Sequence, residues 1–177
     1  MKDYPILFFG PMVRAIRAGQ KTVTRRMSKR WLRVKAGDRL WVRETWARAY
    51  VNGRSLYRAD SERDRLTLEN RRWRLAIFMP RGVSRILLEA TEDAEETELW
   101  SMDSAEALRE GVEVFRRGGL YYLPGNGDLG VSEPVTAFGL LWDSRHKVGQ
   151  RWEDKPTVVR VAFKTVSTDT ETEVRDG

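Results

Sequence analysis

Within six consecutive positions the chain places an amine, a hydroxyl and two guanidinium groups: Lys21-Thr22-Val23-Thr24-Arg25-Arg26. If Lys21 and Thr24 face each other across a tight turn beneath a pocket, an uncharged Lys21 can take the Thr24 hydroxyl proton. The Thr24 oxygen can then attack an acyl carbon. Free lysine titrates near ~10.4, so such a base must be shifted well down to work at neutral pH. Burial and the adjacent Arg25 and Arg26 both push that way. The bland alternatives are a phosphate-binding surface lysine and a threonine chosen for its β-propensity. Other chemistry is scarce. The chain has no cysteine, which excludes a disulfide scaffold, a thiolate zinc site, an iron–sulfur cluster and a Cys nucleophile. The one histidine, His146, has no Ser or Cys partner in a recognisable setting and reads as a structural or surface residue. Gly125-Asn126-Gly127-Asp128 reads as a turn, because the further ligands of a calcium loop do not follow. No phosphate loop, dinucleotide fingerprint or acidic metal cluster is present, so no cofactor and no metal are expected.

Charge is unevenly spread. Residues 1–88 carry 22 Lys+Arg against 7 Asp+Glu, residues 89–113 carry ten acids and one base, and residues 114–177 carry nine of each. The basic half is rich in Arg, whose planar fork grips phosphate and stacks on bases. Trp31, Trp41 and Trp46 interleave with it, as on nucleic-acid surfaces. The competing reading is a solvated Arg-rich face with Trp in the core. The acidic run Glu89–Glu98 reads as a solvated strand edge and loop. The apolar share, 41% of 177 residues, suffices for a real core. No apolar run approaches the roughly 18–20 residues of a membrane helix, and Met1–Phe9 does not read as a signal peptide. A cytoplasmic setting without membrane contact is expected.

These groups need elements to hold them. Ile6–Phe9 reads as a strand end, stopped by Gly10-Pro11. Met12–Ala18 reads as a short helix ended by Gly19. Arg39–Trp46 alternates like a strand, in which Trp41 and Trp46 face opposite sides and Glu44 shares the side of Trp46. Asn52-Gly53 signals a hairpin returning along Ser55–Ala59. Residues 60–74 read as a charged insertion. Ser84–Thr91 reads as a strand. Asp103–Gly111 reads as a helix with Asp103 as N-cap, Glu106 completing a capping box and Gly111 closing it. Residues 117–131 are a Gly-rich excursion. Pro134–Asp143 reads as a helix capped by Ser132, with Phe138, Leu141 and Trp142 in the core. Thr157–Val166 reads as a closing strand. This predicts an α+β fold: a small, twisted, partly closed mixed sheet with two to three short helices, in one domain over 1–166, and a disordered acidic tail over 167–177.

The segment Ala18-Gly19-Gln20-Lys21-Thr22-Val23-Thr24-Arg25-Arg26 resembles the signature of the ASCH domain, a branch of the PUA-like β-barrel superfamily. Gly19, Lys21 and Arg26 match it, and Thr24 stands where many members carry Glu. With Thr there, the motif is similar to that of bacterial N4-acetylcytidine amidohydrolases, whose later helix supplies a Glu that aligns with Glu110. Gly37–Trp46, Met79-Pro80-Arg81, Ser84-Arg85-Ile86 and Leu141–Ser144 look like a larger ASCH subgroup common in phages and prophages. Gly82 and Lys155-Pro156-Thr157 depart from that subgroup. The resemblance implies a PUA-like mixed β-barrel and Lys21, Thr24 and Glu110 as catalytic residues. It implies a cleft for a modified nucleoside or a single-stranded nucleic acid. Arg25, Arg26, Arg30, Glu44, Trp46, Arg81 and Arg85 are the expected contacts. An ionised Glu110 opposes the shift that Lys21 needs, whereas a protonated one can serve as the acid for the leaving amine. The implied reaction is removal of an acyl group from the exocyclic amine of cytidine. The alternatives are a non-catalytic RNA- or single-stranded-DNA-binding module and a ribonuclease.

Overall fold

The computed structural model describes residues 1–48, 55–60, 72–114, 120–122 and 130–168. The Asn52-Gly53 turn, most of the charged insertion, most of the Gly-rich excursion and all but the first residues of the predicted tail lie outside them. The chain runs β1 (Asp3–Leu7), α1 (Gly10–Arg17), β2 (Val23–Arg26), β3 (Arg39–Arg43), β4 (Trp46–Arg48), β5 (Ser55–Tyr57), β6 (Leu87–Ala90) and β7 (Glu95–Glu98). It continues through α2 (Ser104–Arg109), β8 (Glu113–Val114), β9 (Tyr121–Tyr122), β10 (Gly130–Val131), α3 (Pro134–Asp143) and β11 (Thr157–Ser167).

The main sheet has the order β1-β3-β6-β11-β2, with β7 also on β11. β1 and β3 pair in parallel and the other pairs are antiparallel. β11 is the spine. Its first residues pair with β7 and β2, and its last pair with β6 across a register irregularity between Thr165 and Ser167. One long strand shared in this way bends the sheet, because strand twist accumulates along its length. The result is a mixed α and β structure with a curled half-barrel and few helices, as the alternating short strands predict.

Two apolar clusters hold it. The larger joins Ile6, Leu40, Val42, Leu88, Val161 and Phe163 from the sheet to Val13 and Ile16 of α1. The smaller joins Ala107 of α2, Phe138 and Trp142 of α3 and Val158 of β11. The helices therefore pack at the open side of the curl, over the end of β2.

Three local expectations differ. The Arg39–Trp46 strand breaks after Arg43, although burial still alternates through it, with Glu44 and Trp46 both on the buried side. Asp103 caps α2 through Glu106 N at 2.8 Å, but the Glu106 carboxylate turns away to three arginines, so no reciprocal capping box forms. Charge-assisted bonds to guanidinium outweigh one bond to a cap N–H. The N-cap of α3 is Glu133, not Ser132, and makes no side-chain cap bond.

Candidate functional site

Lys21 sits in the short turn between α1 and β2. Gln20 N and Lys21 N both donate to Ala15 O, and Thr22 N donates to Arg109 O, so the turn is tied to α1 and α2 together. The Lys21 side chain is 2% exposed. Its Nζ donates to Val23 O at 2.8 Å, Glu110 O at 2.8 Å and Glu110 Oε2 at 2.5 Å. Those three acceptors satisfy an ammonium fully. Burial lowers the Lys21 pKa, the attraction of Glu110 opposes this, and Arg26 and Arg25 add to the lowering. The 2.5 Å contact gives the proton a direct path between Nζ and the carboxylate.

Glu110 is the C-cap residue of α2 and is 4% exposed. Its second oxygen accepts from Arg25 NH1 at 3.2 Å, so two cations share one buried carboxylate. Gly111 allows this approach. Its φ is +90°, and a Cβ there would stand 3.0 Å from Ala15 Cβ and 3.2 Å from Lys21 Cβ. Gly111→Ala should therefore cost about 1–3 kcal/mol in thermal unfolding and displace the Lys21 stem, with no change of charge.

Thr24 and Arg26 alternate with Arg25 along β2. Thr24 is buried. Arg25 reaches across to α2, donating to Glu106 Oε2 at 2.9 Å as well as to Glu110. Glu106 also accepts from Arg109 and Arg160. Burial alone would raise the Glu106 carboxyl, but hydrogen bonds from Arg160 and Arg25 outweigh it and push it down to about 2. A carboxyl lowered on folding stabilises above its unfolded value of about 4.3 and loses that contribution as pH falls towards about 2. Urea unfolding between about pH 5 and pH 2.5 should therefore show a loss that Glu106→Gln removes, of about 1–2 kcal/mol after solvent screening.

Lys21, Thr24, Arg25, Arg26 and Glu110 line one cavity of about 270 Å³. That is just under the usual range of ligand pockets, about 300–1,000 Å³. Phe8, Phe9 and Met12 form one further wall, and Phe138, Leu141, Trp142, Arg145 and His146 another. Arg26 donates to Leu7 O at 2.8 Å and lies over the rings of Phe8 and Trp31, at 4.9 and 5.9 Å. Burial lowers its pKa to about 10.

The second wall contains residues that sequence reasoning assigned to the core or the surface. His146 stacks on Trp142 with ring centres 3.7 Å apart and planes 12° apart. The Trp142 indole N–H donates to Gln150 O at 2.7 Å, which fixes the stack. His146 Nδ1 lies 2.8 Å from Trp142 O. A carbonyl oxygen only accepts, so Nδ1 carries the proton and Nε2 is the nitrogen left for a ligand. The signal for this pair was the i, i+4 spacing of Trp142 and His146, which puts two rings on one side of a helix end.

The other expected contacts lie away from the cavity. Arg85 grips Glu44 with Nε and NH2 at 2.9 and 3.1 Å, and Asp60 with NH1 at 2.5 Å. Asp60 also accepts from Arg17 NH1 at 2.7 Å, so this cluster ties α1 to β3 and β6. Burial raises the Glu44 carboxyl despite Arg85. Trp46 is buried beside Arg74, and Arg30 and Arg81 are exposed over Trp31 and Trp41. Among the described residues no group of three or more His, Asp or Glu side chains is placed to hold a metal ion. None of their helices is long and apolar enough to cross a membrane.

Comparison of the chain with protein-family models, with curated proteins and with solved structures returned no match.

Proposed function

We propose that the protein is an ASCH-type amidohydrolase on a PUA-like barrel, and that it removes an acyl group from the exocyclic amine of a cytidine. The observation that carries this reading is that buried Thr24 stands on the wall of a small cavity that also holds the buried Lys21–Glu110 pair. A proton passed from Lys21 to Glu110 leaves two neutral groups, the form that burial favours. Lys21 Nζ then accepts the Thr24 hydroxyl proton as Oγ1 bonds to the acyl carbon. The carbon–nitrogen bond breaks, and the proton held by the pair passes to the departing amine. Water attacks the acyl-threonine, releases the carboxylic acid and restores the hydroxyl. Lys21 and Thr24 are not hydrogen-bonded to each other, so substrate must draw them together. Catalytic hydrogen bonds commonly tighten in this way only in the complex.

Incubation with N4-acetylcytidine, followed by chromatography, should show cytidine and acetate in equal amounts. No cytidine after prolonged incubation would reject the reading. A second reading, a single-stranded nucleic-acid-binding module, is favoured by one fact: an ammonium at Lys21 has all three donors satisfied and no need to give up its proton. That module would bind oligonucleotides with a log–log salt slope near about −0.7 per phosphate contact. Arg30→Glu should weaken such binding about equally across sequences.

A further inference from the structure

Four cationic side chains and one carboxylate line the cavity. Lys21 and Arg25 are paired with Glu110. Arg26 and Arg145 are not: among the described residues neither has a carboxylate within ion-pair distance. Both are nevertheless held in place. Arg26 is fixed by Leu7 O and the Phe8 ring, and Arg145 lies 4.0 Å over the ring of the next residue, Phe9. Cation–π contact orients a guanidinium and leaves its N–H edge free for an acceptor. Arg26 Nε is buried without a partner, and its NH2 is the one nitrogen with a protein acceptor. The charge of Glu110 acts on Arg26 from a distance, no carboxylate contacts it, and an anion brought by the ligand adds the direct partner it lacks.

We propose that Arg26 and Arg145 form a phosphate subsite, so that the natural ligand of the cavity is a phosphorylated nucleoside rather than the free nucleoside. The identity of the base rests on the amidohydrolase reading; the phosphate subsite does not. Paired guanidiniums match phosphate oxygens bidentately. The aromatic wall of Trp142 and His146 takes the ring, and Thr24 lies at its substituent. His146 Nε2, left as an acceptor in the neutral ring, suits a ribose hydroxyl between the two.

Calorimetric titration of the full chain with unacylated ligands tests this without requiring turnover. Cytidine 5′-monophosphate or 3′-monophosphate should bind at least about tenfold more tightly than cytidine, with an advantage that shrinks as salt is raised. Arg145 is exposed, so Arg145→Gln should leave the fold and the cytidine affinity intact while removing most of that preference. Stronger binding of a monophosphate assigns a free nucleotide. Stronger binding of a cytidine dinucleotide assigns the phosphodiester of a strand. Equal affinity for nucleoside and nucleotide overturns the subsite, as does a preference that survives Arg145→Gln or stabilisation by acetate but not by inorganic phosphate. Phosphate preference without hydrolysis of N4-acetylcytidine removes the amidohydrolase reading and keeps the subsite. Hydrolysis without phosphate preference does the reverse.

Discussion

Thr24→Val is expected to reduce cytidine release from N4-acetylcytidine by at least about a thousandfold while the protein stays folded. Valine keeps the β-branched shape that β2 packs at this buried position and removes only the hydroxyl. Thr24→Ser restores the nucleophile and should recover much of the rate. Lys21→Met tests the same step from the base side, with an expected loss of about 10²–10⁴-fold. Rates are to be read beside circular dichroism of each variant. A Thr24→Val protein that still hydrolyses at the native rate would remove the covalent step, and direct attack by water would take its place.

Glu110→Ala should have the largest effect on stability. It leaves Lys21 and Arg25 buried beside each other with no shared carboxylate, and breaking a buried pair in this way costs about 3–5 kcal/mol. Lys21→Met combined with Glu110→Leu should recover most of that loss, because it removes both charges of the pair and fills the space. A double-mutant cycle on denaturant midpoints measures the coupling. Additive losses from the two single changes would mean that Lys21 and Glu110 do not depend on each other. The double variant should be inactive even though it is stable, which separates the structural role of the pair from its chemistry.

Much of the local structure is legible in the chain. Gly19 ends α1 and Gly111 closes α2 because both adopt positive φ, +73° and +90°, a demand that local sequence punctuation announces. Alternation places β3 and β6 because one face of each is buried, whereas β11 is buried on both faces along its middle. Composition, the absence of cysteine and the Lys21–Arg26 run narrowed the candidate chemistry to a hydroxyl and an amine flanked by arginines. These are properties of neighbours along the chain, and they need no partner to be read.

Which residues meet across the fold followed other rules. A strand drawn through Arg39–Trp46 made Glu44 and Trp46 ligand contacts; the two do share one side, but it is the buried one, where Glu44 joins the Arg85–Asp60 cluster. Arg25, expected as a phosphate contact, is taken up by Glu106 and Glu110. Trp142 and His146, taken for core and surface, line the cavity with Arg145. The meeting of Lys21 and Glu110 could not be read from periodicity, since they lie 89 positions apart and are joined by the packing of α2 against the turn before β2. Buried charges find partners through desolvation and ion pairing. Those forces act across space, so the packing of α2 against β2 and the turn before it decided which cations are paired.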